Sequence, residues 1–403
     1  MTARGFLLLS TLGLVAAPAA AGDWPQWRGP NRDAKADFTA PKAWPKELTQ
    51  KWKVAVGDGV ATPALVGDKL YVFSRQDGNE VLRCLAAADG KELWAEKYAS
   101  PGAEGPARGF SGPRSSPAVA DGKIVTLGVR GMLVCRDAGT GKELWKKDEF
   151  TKSMPKFQVA SSPLIADGLV VAQLGGESNG AIVAYDLATG TEKWKWDKDG
   201  TAYASPTLIT VDGTKAVVAE TAKKVVAIGL TDGKLLWETP FAVKGRGYNA
   251  VSPAVRDLTL VYSGDSRGTT AVTVGKKGDE LAATQLWTNP EASSKYNSLV
   301  VKGDLVFGLS EMDKLFCLDA KTGKTAWSTA IPGKRGYGNI VDLGPALMVL
   351  TPSAELTVFE PTDKEYKELA KYKVGTDTYA YPVVAGNRVF VKDKDAVTLW
   401  VVE

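Results

Sequence analysis

Residues 135–145 read Cys135-Arg136-Asp137-Ala138-Gly139-Thr140-Gly141-Lys142-Glu143-Leu144-Trp145, and variants of the stretch recur along the chain. They stand at 84–94, 184–194, 227–237 and 317–327, each with a Gly four residues before a closing Trp. A second anchor precedes the copies: one residue, most often Ser, then Pro, then an apolar run. It is seen at Thr62-Pro63, Ser116-Pro117, Ser162-Pro163, Ser205-Pro206, Ser252-Pro253 and Tyr381-Pro382, with Leu299 and Ile340 in the Pro place of two further copies. These eight positions have a mean step of about 46 residues. The Trp position recurs at Trp52, Trp94, Trp145, Trp194, Trp237, Trp287 and Trp327, with Ala370 in an eighth place, at a mean step of about 45. Two anchors agreeing on a period of 40–50 residues, with four short strands per period, are the mark of a β-propeller.

One period shows the strands. The run 116–120 opens the innermost strand, 123–129 is the second, 132–137 the third and 143–147 the fourth. Asp121-Gly122 is a hairpin signal, and Gly139-Thr140-Gly141-Lys142 makes the last turn. Gln50 to Val56 is a fourth strand without a period of its own, and Tyr381 to Glu403 holds three strands' worth of residues. The N-terminal strand therefore completes the last blade and removes the free edges of the ring. The expected fold is all-β, an eight-bladed propeller of four-stranded antiparallel blades.

Within this fold the repeated residues read as structural. Gly supplies a positive φ in the tight turn, and Asp and Thr bond its backbone. The seven Trp are suited to docking one blade on the next, with the indole N–H on a carbonyl. Cys84, Cys135 and Cys317 share one repeat position and read as small buried fillers, too far apart on separate blades to pair. Gly323-Lys324-Thr325 imitates the end of a phosphate loop, but Leu318 stands where the first Gly is required and no helix follows.

Composition bounds the rest. The chain has 403 residues, 44% hydrophobic and 24% charged, as in an ordinary soluble globular protein. It has no His, which excludes Ser-His-Asp and Cys-His catalysis and His-ligated zinc or haem. Residues 1–21 read as a signal peptide: Arg4, an apolar run from Phe6 to Ala17, and Ala19-Ala20-Ala21 as cleavage site. Residues 22–48 form a Trp/Pro-rich leader and 49–403 the propeller. The mature chain is expected in a periplasm or outside the cell, as a monomer, with no transmembrane segment. Without Arg4 it carries 49 basic and 46 acidic residues, too even a balance for a nucleic-acid partner.

The repeat resembles that of pyrroloquinoline quinone (PQQ) dehydrogenases and of their non-catalytic relatives, including the outer-membrane protein assembly factor B family. The resemblance runs from about Trp52 to the end. The stretch Asp23-Trp24-Pro25-Gln26-Trp27-Arg28-Gly29-Pro30-Asn31-Arg32 is similar to the start of many secreted bacterial PQQ-binding-like propellers. In the dehydrogenases, the resemblance implies a quinone stacked on a disulfide between adjacent cysteines and held with calcium. This sequence has no Cys-Cys pair and no evident calcium-ligand set, and the repeat consensus is lost around Gly275 and Pro361. No cofactor is expected, with PQQ and Ca²⁺ as the alternative.

Propeller ligands meet the loops that lead into the innermost strands. These loops hold Tyr203, Tyr248-Asn249, Tyr296-Asn297, Tyr337 with Asn339, and Tyr379 with Tyr381, six of the twelve Tyr. Arg108, Arg114, Arg246 and Arg335 lie in the same kind of loop. Tyr and Arg are enriched at protein interfaces, and Arg suits carboxylate or phosphate. The expected function is a secreted, non-catalytic binding or scaffold propeller whose partner is an envelope or secreted protein, or an acidic or polar polymer. A PQQ-dependent dehydrogenase and a polysaccharide-binding accessory protein are the alternatives.

Overall fold

The computed structural model describes residues 22–243, 248–278, 280–334 and 336–403. The expected signal peptide lies outside the described residues. Eight sheets follow one another around a ring, each with four strands in sequence order, except the last. That blade takes Val383–Gly386, Arg388–Lys392 and Ala396–Val401 from the C-terminus and Thr49–Ala55 from the N-terminus. Thr49–Ala55 pairs antiparallel with Ala396–Val401, so the two ends of the chain close the propeller.

Blade 2 shows how sequence becomes blade. Its strands are Ala118–Ala120, Lys123–Leu127, Leu133–Asp137 and Glu143–Lys147. The first starts two residues later than expected, because Pro117 has no N–H to give a ladder. In the last turn Asp137 Oδ1 accepts both the Thr140 amide and the Thr140 hydroxyl at 2.8 Å. These bonds hold the Asp137 carboxyl below its ordinary pKa. Asp186 with Thr189 and Asp319 with Thr322 repeat the arrangement.

Every outer strand carries a bulge one residue before the Trp position. A bulge re-aims the side chain that follows it. The indole Nε1 of Trp52, Trp145, Trp194, Trp287 and Trp327 donates to a carbonyl of the next blade at 2.7–3.2 Å. The rings of Trp52, Trp145, Trp194 and Trp287 lie against the Gly of that blade's last turn, whereas Trp327, whose neighbour has no Gly there, meets Phe359 and Tyr366. A Cβ on Gly190 would stand 2.8 Å from Trp145, and one on Gly141 2.7 Å from Trp94. Trp94 thus docks by packing, its Nε1 without a partner. Trp237 is half-buried and faces a different neighbour. In blade 5 the tight turn is replaced by a long hairpin, Gly268–Lys277 and Glu280–Asn289, and Trp237 packs on the cluster holding Val274 and Leu281.

The leader does more than cover the propeller. Trp24 pairs with Leu65 of blade 1, and Pro25 accepts the Val119 amide of blade 2. Ala34 and Ala36 bond Asp342 of blade 7, and Asp37–Phe38 adds a short parallel strand to Val383–Gly386 of blade 8. Arg32 donates to the carbonyls of Pro163 and Ser162 in blade 3, and Arg28 to that of Leu299 in blade 6, at 2.5–3.2 Å. One segment thus ties six innermost strands together and fills the channel toward the end at which those strands finish. Arg28, Arg32 and Ala34 all have positive φ, a strained backbone for side-chain-bearing residues, held by these bonds.

Candidate functional site

The opposite end of the channel stays open as a pocket of about 310 Å³. Trp27 of the leader is part of its floor, and the lead-in loops of the blades make its wall.

A ring of hydroxyls girdles the channel at the floor. The residue before each Pro anchor gives its backbone N–H to the hydroxyl at the same place in the next blade. Thr62 donates to Ser116, Ser116 to Ser162, Ser162 to Ser205, Ser205 to Ser252, Ser252 to Ser298, and Tyr381 to Thr62, at 2.7–3.1 Å. Asn339 takes this place in blade 7 and donates its amide to the Tyr379 carbonyl at 3.0 Å. The Ser of the Ser-Pro anchor was the signal for this ring, plain in the repeat, but the repeat alone gives it no partner.

Above the ring the wall is aromatic. Phe157, Tyr203 and Tyr248 meet edge to face, with centroids 4.7–6.3 Å apart. Across the opening Tyr296 stacks flat on Tyr337 at 4.1 Å, and Tyr379 stands edge-on to Tyr337 and to Phe110. Such geometries suit rings that carry a quadrupole. Tyr381 lies lower, edge-on to Trp27 at 5.8 Å. Burial raises the phenol pKa of Tyr203, Tyr337 and Tyr381, so all three stay protonated at neutral pH.

The expected site residues divide by position. Arg114, Tyr203, Tyr248, Tyr296, Tyr337, Asn339, Tyr379 and Tyr381 line the pocket together. Arg108 is exposed, at the end of a short 3-10 turn, and is not part of the lining. Asn249 and Asn297 are buried beneath the loops. Asn249 donates to the Thr221 and Phe241 carbonyls at 2.8 and 2.9 Å, and Asn297 brackets the backbone N–H and C=O of Leu309. Their amide N–H groups staple loops rather than face the opening. Arg246 and Arg335 lie outside the described residues. Arg114 gives its N–H groups to the carbonyls of Ala107, Phe110 and Phe157, which fixes two loops over the pocket. Burial lowers its pKa. Trp27, Phe110 and Phe157 were not expected. A search of the lead-in loops for any aromatic residue, rather than Tyr, would have found the last two.

A profile of the outer membrane protein assembly factor BamB family matches residues 78–329. The chain belongs to the BamB family. BamB of Burkholderia pseudomallei is 26% identical over 360 residues, covering 87% of this chain and 86% of that protein. The crystal structure of BamB from Moraxella catarrhalis superposes with a TM-score of 0.66 at 18% identity, over 88% of this chain and 97% of that one. Quinohemoprotein alcohol dehydrogenase from Comamonas testosteroni gives 0.70 at 15% identity, over 95% of this chain and 81% of that one, a likeness of fold.

The second likeness raises the question of a quinone held by calcium. The described lining of the pocket has no Asp or Glu. No group of three metal-ligating side chains occurs among the described residues. The three thiols sit in blades 1, 2 and 6 rather than side by side. Hard cations need several oxygen ligands, with carboxylates among them. This donor set does not fit calcium-held PQQ.

Proposed function

We propose that this BamB-family chain is a non-catalytic scaffold at the cell envelope that binds protein partners through the aromatic rim of its open face. The observation that carries the reading is the asymmetry of the channel. One end is filled by the leader, and at the other the described residues bring Tyr, Phe and Arg114 from successive blades around the opening. Aromatic residues and Arg are the side chains that anchor protein interfaces. The names of the relatives, assembly factors of the outer membrane, support a protein partner and an envelope location. The signal peptide reading of residues 1–21 supports export, with cleavage near Ala21.

The test is capture from envelope extract with tagged protein, comparing wild type with a Tyr248→Ala/Tyr337→Ala double variant. A partner identified by mass spectrometry should bind wild type and be lost from the variant. Equal capture by a folded variant would refute the rim as the binding surface. Incubation with PQQ and Ca²⁺ should yield no dye-linked alcohol oxidation, and turnover would revive the dehydrogenase reading.

A further inference from the structure

The pocket has a polarity of its own, apart from the rim. Ser116, Ser205 and Ser252 at its floor each spend an oxygen lone pair on a neighbour's backbone N–H. A hydroxyl used as acceptor keeps its proton to donate. These protons have no protein acceptor among the described residues, so the floor offers a crown of donors.

Two guanidinium groups stand behind this crown and a third stands beside the opening. Arg114 is in the wall. Arg28 and Arg32 lie under Trp27, with their central carbons 5.5 and 5.4 Å from its ring centre. None of the three has an ion pair among the described residues. Arg28 and Arg32 are almost fully buried, and N–H groups of both are left without an acceptor, as is Nε of Arg114. Burial and the neighbouring Arg28 lower the pKa of Arg32 to about 9, as uncompensated positive charge requires. The described lining supplies no carboxylate in return.

We infer that the pocket binds a small organic oxyanion, a single-ring aromatic carboxylate. The carboxylate rests on the serine crown in the field of the three arginines, and the ring lies between the tyrosine walls. Each half of the pocket selects. Aromatic walls alone would also accept an organic cation, which the guanidinium groups oppose. Donors alone would accept acetate, which leaves the walls unfilled. A volume of about 310 Å³ is at the small end for ligand pockets, which suits one ring. The site needs no metal. Its walls share Tyr248 and Tyr337 with the rim, so the titrations are run without a protein partner, and Ser252, at the floor, separates the two readings.

Isothermal titration calorimetry on the folded full chain tests this with four probes: benzoate, benzamide, acetate and benzyltrimethylammonium. Benzoate should bind at least about tenfold more tightly than each of the others, a difference of about one charge-assisted contact. EDTA should leave its affinity unchanged. Ser252→Ala and Tyr248→Ala should each weaken benzoate about tenfold, with melting curves to show that the variants are folded. The probe series on the unaltered protein decides the matter if a variant fails to fold. Absence of benzoate binding, equal binding of benzamide, preference for the cation or a requirement for calcium would each overturn the assignment.

Discussion

The indole nitrogen of Trp145 donates to the carbonyl of Leu187, one blade further on, at 3.0 Å. The same ring leaves no room for a side chain on Gly190, whose φ is +71°. Donor, acceptor and glycine form one joint. Trp145→Phe keeps most of the packing and strands the carbonyl, so unfolding should cost about 1–2 kcal/mol less. Trp145→Ala should lose about 3–5 kcal/mol. Gly190→Ala touches neither partner chemically, yet should cost more than about 1 kcal/mol through the backbone and the ring together. Urea denaturation checks all three. A Gly190→Ala protein as stable as wild type would contradict the joint.

The leader carries a second prediction. Arg28 gives hydrogen bonds to the carbonyls of Leu299 and Asp33 from inside the channel. Arg28→Ala leaves a cavity and a buried carbonyl without its donor, and should destabilise by about 2–4 kcal/mol. Thermal melts would show it, and an unchanged midpoint would mean that the leader does not clamp the ring.

Glu220 should make stability depend on pH. It is fully buried, with neither carboxyl oxygen partnered, and burial raises its pKa well above 4.5. The folded state then holds a proton that the unfolded state has released, from pH 4.5 upward. Stability contributed by this group is present below that pH and falls as pH rises toward the folded pKa. Gln173 occupies the equivalent place in blade 3, where its amide donates to the Ala204 carbonyl at 2.8 Å and accepts the Ala202 N–H at 3.2 Å. Glu220→Gln should therefore raise the melting temperature near pH 7.5 and leave it almost unchanged near pH 4. A higher midpoint at both pH values alike would contradict a protonated Glu220.

The thiols give a fourth. Burial pushes Cys84 up to about 11 and Cys135 and Cys317 up to about 12. The thiolate is the reactive form. Alkylation by iodoacetamide at pH 8 should leave all three untouched in the folded protein and modify all three in guanidinium. Fast labelling of any one in the native state would show that its blade interface opens.

The two anchors made the propeller legible, because each blade repeats one solution to one packing problem. The ring closure was legible for the same reason, since a fourth strand without a blade can pair only with a blade short of one. The leader was not. Arg28 finds Leu299 across 271 residues, and Arg32 finds Pro163 across 131, and no period relates such pairs. The rim was legible in part. Tyr248 and Asn249 are neighbours in the sequence and look like one site, yet the first lines the pocket and the second is a buried staple. The difference lies in which backbone groups the loop leaves unsatisfied, and that is settled only by the fold.

The segments Trp24–Phe38 and Thr49–Ala55 find their partners as far along as Gly386 and Val401. A ribosome makes these segments before blades 7 and 8, so their partners there do not yet exist when they emerge. The parts of them that meet blades 7 and 8 stay unoccupied while blades 1 to 6 are made, although Trp24 can already pair with Leu65. Order of manufacture and order of completion run in opposite directions in this molecule. A chain that loses its final strands therefore loses its beginning as well.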